Sequence, residues 1–389
     1  MIPFNRPSFD GKELQYLQQA ITNGHTAGNG PFTKQAEGML ATMHQGSATL
    51  LTSSCTHALE MAARLLDLKP GDEVIIPSYT FVSTASAFLW NGAKPVFADI
   101  RPDTLNIDPE SAKSLINERT KAICIVHYAG IGAEPDHFAE IAKRHGITLI
   151  EDNAHGLGAT WKGQPLGTFG AISTLSFHET KNITCGEGGA IILNDSTLVE
   201  RAEILREKGT NRSRFLRRQV DKYTWVDNGS SWVMSDLLAG VLVGQLERFT
   251  QIQQSRIKIW DGYYSALVDW ARLNDVEMPK VPKEAQHVGH MYYLRLRDLH
   301  ARNRFIQHLH DEGVFAVFHY QPLHASPFGR INQLKVAHCP ESDQAAESIV
   351  RLPIFPSMTE SDQLTVVDAV TRFRSGARTC NETRATGSR

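Results

Sequence analysis

From about residue 50 to residue 195 the chain repeats one pattern: a short apolar run ending in a turn or a polar cluster, then a stretch with apolar positions at helical spacing. The runs are Glu73-Val74-Ile75-Ile76, Pro95-Val96-Phe97-Ala98, Ala122-Ile123-Cys124-Ile125-Val126, Thr148-Leu149-Ile150-Glu151, Ile172-Ser173-Thr174-Leu175-Ser176-Phe177 and Ala190-Ile191-Ile192-Leu193. Near-continuous apolar runs, separated by helices, predict strands of a sheet covered on both faces. Leu68-Lys69-Pro70-Gly71-Asp72 predicts a turn ahead of the first. In the helix before that turn, Ala58, Met61, Ala62, Leu65 and Leu66 recur at i, i+3, i+4, i+7 and i+8. That spacing makes one apolar face to lay on the sheet.

Beyond about residue 245 the pattern changes. A long helical stretch through Trp260, Tyr263, Tyr264 and Leu267 leads into Met291-Tyr292-Tyr293-Leu294-Arg295-Leu296, which predicts a strand. A helix over about 301–311 and a second strand, Val314-Phe315-Ala316-Val317-Phe318, are expected to follow. The reading is an α/β protein with a large, doubly wound, mainly parallel sheet domain over 1–250 and a smaller α+β domain over 251–373. The small, polar, aperiodic stretch over 374–389 reads as a disordered tail.

Composition narrows the function classes. Forty basic side chains stand against 42 acidic ones in 389 residues, a net charge of -2. That balance gives no support to a general nucleic-acid or membrane-surface binder. No apolar run approaches the roughly 20 residues of a membrane span. Met1-Ile2-Pro3-Phe4-Asn5-Arg6-Pro7 lacks the basic-then-apolar layout of a secretory signal. The five cysteines (55, 124, 185, 339 and 380) are scattered, with neither metal-site spacing nor a disulfide framework. A cytoplasmic protein with no metal site is expected.

Three constellations carry possible chemistry. Lys181 lies in Ser176-Phe177-His178-Glu179-Thr180-Lys181-Asn182, just past a predicted strand. Burial there would lower its pKa and make it a nucleophile toward an aldehyde; otherwise it is an ordinary surface lysine. The glycines of Cys185-Gly186-Glu187-Gly188-Gly189 fit no phosphate-loop pattern and read as a turn. Asp152, in Ile150-Glu151-Asp152-Asn153-Ala154-His155, falls at the carboxyl end of a strand, the edge where open α/β sheets place ligands. It would hold a ring nitrogen protonated, or cap a helix. Thr52-Ser53-Ser54-Cys55-Thr56-His57 opens the amphipathic helix with hydroxyls and free amides, an anion site, a simple cap, or both.

Taken together, an anion-binding helix start, a strand-end aspartate and a strand-end lysine, in that order, form a set suited to pyridoxal 5'-phosphate (PLP). On Ser54-Cys55-Thr56-His57-Ala58-Leu59, Pro77-Ser78-Tyr79-Thr80-Phe81-Val82-Ser83-Thr84-Ala85, Glu151-Asp152-Asn153-Ala154-His155 and the Lys181 segment, the chain resembles the fold-type I PLP-dependent transferases. Within them it resembles the nucleotide-sugar aminotransferases, from about Pro3 to about Phe373. Lys208-Gly209-Thr210-Asn211-Arg212-Ser213, Gln219-Val220-Asp221-Lys222-Tyr223-Thr224-Trp225 and Gly229-Ser230-Ser231-Trp232-Val233-Met234-Ser235-Asp236 are similar to the branch that makes dTDP-4-amino-4,6-dideoxygalactose for enterobacterial common antigen.

The resemblance implies roles. Lys181 would bond to the cofactor and later shuttle protons, Asp152 would pair with its pyridine nitrogen, and Phe81 would stack on its ring. Cys55 through its backbone, Thr56 and Ser176 would hold its phosphate, and His155 would sit near its phenolic oxygen. L-Glutamate and a dTDP-4-keto sugar are the implied substrates, and a homodimer with shared active sites is the implied assembly. Relatives carry Asn-x-Arg-Met where this chain has Ser231-Trp232-Val233-Met234, so Ser231 would replace an asparagine that reaches the partner's cofactor phosphate. The basic stretch Arg206, Lys208, Arg212, Arg214, Arg217, Arg218 and Lys222 reads either as a solvated loop or as contacts, Arg212 and Lys222 among them, to the pyrophosphate of a nucleotide sugar. His319 and Tyr320 resemble a segment near the substrate; otherwise they are strand-end residues. Alternatives are a different keto nucleotide sugar, the other stereochemistry at the same carbon, or a non-catalytic nucleotide-sugar sensor.

Overall fold

The computed structural model describes residues 1–374, so the expectation of a disordered tail concerns residues that, apart from Arg374, lie outside the described ones. A seven-stranded sheet runs in the order Ala48–Thr52, Gly189–Leu193, Ile172–Ser176, Thr148–Asp152, Thr120–Val126, Glu73–Pro77, Lys94–Ala98. The last five are parallel. Gly189–Leu193 runs antiparallel to both of its neighbours. All six predicted runs are strands of this sheet, and Ala48–Thr52 is an unpredicted seventh. The reversed strand has a simple cause. A parallel return needs a crossover, usually a helix, whereas residues 177–188 form only turns and fold straight back.

Helices cover both faces. In Cys55–Leu65 the buried set is Ala58, Leu59, Met61, Ala62, Ala63 and Leu65, wider than one stripe. Ala58, Met61, Ala62 and Leu65 pack with Leu50, Ile172, Ile191 and Trp232. Leu59 and Ala63 face a second cluster with Val74, Ile76, Phe88 and Cys124. Each fully buried leucine there contributes about 1.5–3 kcal/mol, and the alanines let the helix sit close to the strands.

Past residue 248 the helix Phe249–Leu273 lays Trp260, Tyr263, Leu267 and Trp270 into a core with Tyr292, Leu294, Phe305, Val350, Leu352 and Phe355, which Ile2 from the chain start also joins. Tyr292–Arg295 is a strand, as expected, paired antiparallel with Ile349–Leu352, and Leu299–Asp311 is the expected helix. The strand expected at 314–318 does not form. Val314 bridges Ile2 and Val317 bridges Arg351, so the segment is shared between two partners with one rung each and builds no ladder. The Thr148–Asp152 strand is anchored from behind. Glu151 accepts from His127 Nε2 at 2.8 Å and from the amides of Gly167, Phe169 and Gly170 at 2.7–2.8 Å. Those four charge-assisted bonds hold its carboxyl below the usual range despite full burial. The next residue, Asp152, is turned the other way by the alternation of the strand.

Candidate active site

The carboxyl ends of three parallel strands, at Val126, Asp152 and Ser176, open into a cavity of about 770 Å³. The start of the Cys55–Leu65 helix, the 80–84 turn and the Lys181 loop form further walls. His290, Phe318, His319, Tyr320 and Arg351 close it from the C-terminal part of the chain. This is the edge that strand ends and free amides make suitable for ligands.

Asp152 is 5% exposed. Its Oδ2 accepts from Thr84 Oγ1 at 2.9 Å and its Oδ1 from the Ala154 amide at 3.2 Å. Burial pushes its pKa up; the Thr84 hydroxyl, the Ala154 amide and Lys181 oppose that. The capping alternative is not realised, because turns and no helix follow the strand. A buried carboxylate with these few donors is costly, and a cation delivered into the cavity would restore its charge.

Lys181 sits in the loop between the Ile172–Ser176 and Gly189–Leu193 strands rather than on a strand end. The loop is pinned by Phe177 N to Gly188 O at 2.8 Å and Cys185 N to Phe177 O at 3.0 Å. Asn5 ties the chain start to it through the Glu179 carbonyl at 3.0 Å. The Lys181 amine lines the cavity and has no hydrogen bond or ion pair among the described residues. Burial lowers its pKa, so the neutral, nucleophilic amine is favoured over that of a surface lysine.

At the helix start the Ser54 hydroxyl caps the amide of His57 at 3.1 Å, leaving the amides of Cys55 and Thr56 without a protein acceptor among the described residues. The Cys55 thiol is turned toward Thr174 Oγ1 at 3.6 Å, and burial pushes its pKa up, so its amide is the useful group. Gly189 permits this arrangement. A Cβ there would stand 2.4 Å from the Cys55 nitrogen and the Ser54 carbonyl carbon. Thr56 and Ser83 share a 2.8 Å hydroxyl bond, and Ser176 lines the same end. Phe81, 55% exposed, caps the Val82–Trp90 helix and offers its ring at the cavity edge.

The opposite wall is aromatic. His155 stacks on His290 with ring centroids 4.3 Å apart and meets Tyr320 OH at 3.3 Å through Nε2, while its buried Nδ1 has no partner. His290 Nδ1 bonds Asn182 Oδ1 at 2.8 Å, and His319 Nδ1 bonds Tyr128 OH at 2.6 Å. Burial holds all three imidazoles well below their ordinary pKa, so they are neutral at pH 7.

The profile of the DegT/DnrJ/EryC1/StrS aminotransferase family matches residues 7–371. The chain belongs to that family. It is 31% identical over 384 residues to the spore coat polysaccharide biosynthesis protein SpsC of Bacillus subtilis, covering 97% of this chain and 98% of that one. It is 34% identical over 379 residues to an uncharacterized protein of Methanocaldococcus jannaschii, covering 96% and 97%. Among solved structures it is similar to the aminotransferase TlmJ of Streptoalloteichus hindustanus (29% identity, TM-score 0.87, 95% of this chain and 98% of that one). A candidate sugar aminotransferase of Streptococcus pneumoniae, Spr1654 in its PMP form, is also similar (27%, TM-score 0.89, 95% and 98%). The protein is therefore a PLP-dependent transaminase of the sugar aminotransferase family, with the fold-type I architecture.

The residues of this family member fit PLP. An unpaired amine, a buried carboxylate short of donors, an orphaned imidazole nitrogen and two free helix-start amides all face one cavity. Lys181 would hold the cofactor covalently, Asp152 its ring nitrogen, the amides of Cys55 and Thr56 with Ser176 its phosphate, Phe81 its ring face and His155 its ring oxygen. PLP, when bound, supplies the electron sink for moving an amino group.

Not every expected residue reaches the aminotransferase cavity of one chain. Ser231 is exposed and bridges Glu207. Arg212 lies on the Arg212–Leu216 helix beside Glu207 at 3.6 Å, and Lys222 is exposed on the following loop. His319 and Tyr320 do line it. Thr84, His290 and Arg351 line it without having been expected. The signal for Arg351 was present: one arginine interrupts the apolar run Ile349-Val350-Arg351-Leu352.

Proposed function

We propose that this aminotransferase moves the amino group of L-glutamate to dTDP-4-keto-6-deoxy-D-glucose, giving dTDP-4-amino-4,6-dideoxy-D-galactose for a cell-surface polysaccharide of the enterobacterial common antigen type. The observation that supports amino transfer is the pairing of a free, half-buried Lys181 amine with a buried Asp152 carboxylate on one cavity. The choice of sugar rests on the likeness of the Lys208 to Asp236 segments to the branch making that product.

In this reading Lys181 Nζ would take the proton from the α-carbon of the donor, and would give one up in the opposite direction when the sugar ketone is aminated. Its lowered pKa keeps a share of the amine unprotonated for both transfers. Asp152 would favour positive charge on the ring nitrogen, and the Thr84 hydroxyl donates to its Oδ2 and orients the carboxylate. The neutral histidines and Tyr320 wall off water without adding competing charge. Ser231, Arg212 and Lys222 serve the site of a second copy, the enzyme working as a cytoplasmic homodimer. The exposed Phe215, Leu216, Tyr223, Trp225 and Val226 of the same segment support such an interface. The division at about residue 250 separates a cofactor-holding body from a smaller one that covers it.

The test is product analysis by NMR after mixing the protein, PLP, L-glutamate and dTDP-4-keto-6-deoxyglucose. An axial amine at sugar position 4 is expected. An equatorial amine, or no amine, overturns the substrate assignment and sends the search to other keto nucleotide sugars.

A further inference from the structure

His290 turns an unpartnered ring nitrogen into the cavity, and the hydrogen bonds behind it fix that nitrogen as an acceptor. The chain of bonds starts at two backbone carbonyls, which can only accept. Leu157 O takes the Gln253 amide nitrogen at 3.1 Å, so the Gln253 oxygen is the atom that accepts from Asn182 Nδ2 at 2.9 Å. Asn182 Nδ2 also donates to Val288 O at 2.9 Å. Both amide protons are then used, and Asn182 Oδ1 accepts from His290 Nδ1 at 2.8 Å. His290 Nδ1 therefore carries the ring proton, and Nε2 keeps a bare lone pair. Gln253, Asn182 and His290 are all buried. The backbone is held as well, Arg256 donating from Nε to Gly289 O at 3.1 Å and from Nη2 to His290 O at 2.6 Å. Nε2 has no partner among the described residues and reaches the cavity that His290 lines. His155 cannot supply one: the two rings are stacked with planes 22° apart, and an imidazole donates and accepts in its own plane. Burial holds His290 well below its ordinary pKa, so at pH 7 Nε2 accepts hydrogen bonds and takes no proton.

A buried acceptor left without a donor is costly, so the ligand that fills the cavity should bring one. Few of the groups that enter it can. The cofactor's phosphate and phenolic oxygen accept, and its ring nitrogen belongs to Asp152. L-Glutamate has two carboxylates, which accept, and the amine that reacts. The keto sugar has hydroxyls to spare. Which of them meets His290 follows from where His290 stands. Lys181 directly precedes the Asn182 that holds the ring, and its charge is felt at His290, so this is the reacting side. Beside a ketone at position 4, carbon 5 carries the methyl group and the ring oxygen, whereas carbon 3 carries a hydroxyl. We propose that His290 Nε2 accepts the hydrogen bond of the sugar hydroxyl next to the reacting ketone, and so selects sugars with a free hydroxyl at position 3 over 3-deoxy ones. The Gln253–Asn182 chain enforces the choice by excluding the tautomer that would donate instead. This rests on the proposed amination of a 4-keto nucleotide sugar.

The experiment compares dTDP-4-keto-6-deoxyglucose with its 3-deoxy counterpart on the PLP-loaded protein, for wild type, His290→Phe and His290→Gln. kcat/KM is read for each sugar, and calorimetry reads the binding of the two amino-sugar products. Wild type is expected to prefer the hydroxyl-bearing sugar by about 30-fold or more, because the 3-deoxy sugar leaves Nε2 buried and unpaired. His290→Phe keeps a flat ring against His155 but has no acceptor. It should cut the preference to about 3-fold or less, mainly by weakening the hydroxyl-bearing sugar, and narrow the two calorimetric affinities alike. His290→Gln, whose amide oxygen can accept, should retain part of the preference. A wild-type preference below about 3-fold overturns the inference whatever the variants do, as does an undiminished preference in His290→Phe. If His290→Phe does not fold, the wild-type comparison and His290→Gln decide, and a Gln variant that prefers neither sugar while wild type does supports the contact. If L-glutamate reacts but neither sugar is aminated, the sugar assignment falls. The comparison then runs on the keto sugar that is aminated and its analogue lacking the hydroxyl beside the ketone, with the same outcomes deciding.

Discussion

The segment over residues 200–222 holds more positive charge than the cavity does, yet the two regions differ in what that charge can do. Arg206 is paired with Glu37 at 2.6 Å, Arg217 with Glu203 at 2.7 Å, Arg214 with Glu200 at 3.3 Å and Arg212 with Glu207 at 3.6 Å. In the cavity Lys181 and Arg351 have no such partners among the described residues. A count of basic residues therefore ranks the wrong region first. What can bind or react is the charge that folding leaves unmatched and out of water, where each interaction is stronger than at the surface.

The sharpest way to break that contrast is Lys181→Ala, which should remove turnover by about 10⁴-fold or more while the thermal melt stays close to wild type. Measurable turnover at the wild-type rate would refute the assignment of Lys181. Asp152→Asn comes next. Losing a carboxylate that holds a cation by about 1–3 pKa units should cost about 10–1,000-fold in kcat/KM, with a shifted pH profile, because a neutral amide cannot keep the ring nitrogen protonated. A change of less than 3-fold would show that the carboxylate has no such role.

Acid offers a probe of the cavity wall. His155, His290 and His319 have folded-state pKa values below the unfolded 6.5. Below pH 6.5 the unfolded chain therefore takes up protons that the folded chain refuses, and stability falls as pH falls, by about 1.4 kcal/mol per histidine per pH unit. Asp152, raised by burial, works the other way, one group against three. The melting temperature should drop between pH 6.5 and 5.5, and His319→Gln should make that drop shallower; an identical drop in the variant would count against it. The smallest effect belongs to the paired region. Arg217, with its side chain 45% exposed, should cost about 0.5 kcal/mol or less on change to Gln, solvent screening included, and leave kcat/KM of one chain's cavity within 2-fold. A larger loss of activity would mean that this stretch acts in a second copy's site.

Much of the architecture could be read from the chain. Six of the seven sheet strands stand out as apolar runs, and the helix before Leu68 shows its spacing. Ala48–Thr52 does not, because five residues with two threonines look like the hydroxyl-rich helix start that follows. The direction of Gly189–Leu193 was hidden as well, since periodicity says nothing of orientation. The segment over 314–318 has the composition of a strand but only one rung to each of two partners. Lys181 and Asp152, singled out by spacing and motif, and His319 and Tyr320, singled out by resemblance, all line the one cavity.

The sequence by itself determined the parts whose causes are local: apolar runs that must be buried, glycine and proline turns, and residue types in a fixed order that suit one cofactor. Only the tertiary structure decided which charges are matched. Glu203 and Arg217 stand 14 positions apart and meet, whereas Arg351 lies 170 positions from Lys181 and shares its cavity. Pairing depends on distances across the fold, and electrostatic interactions are decided by separation and by solvent, neither of which is written along the chain.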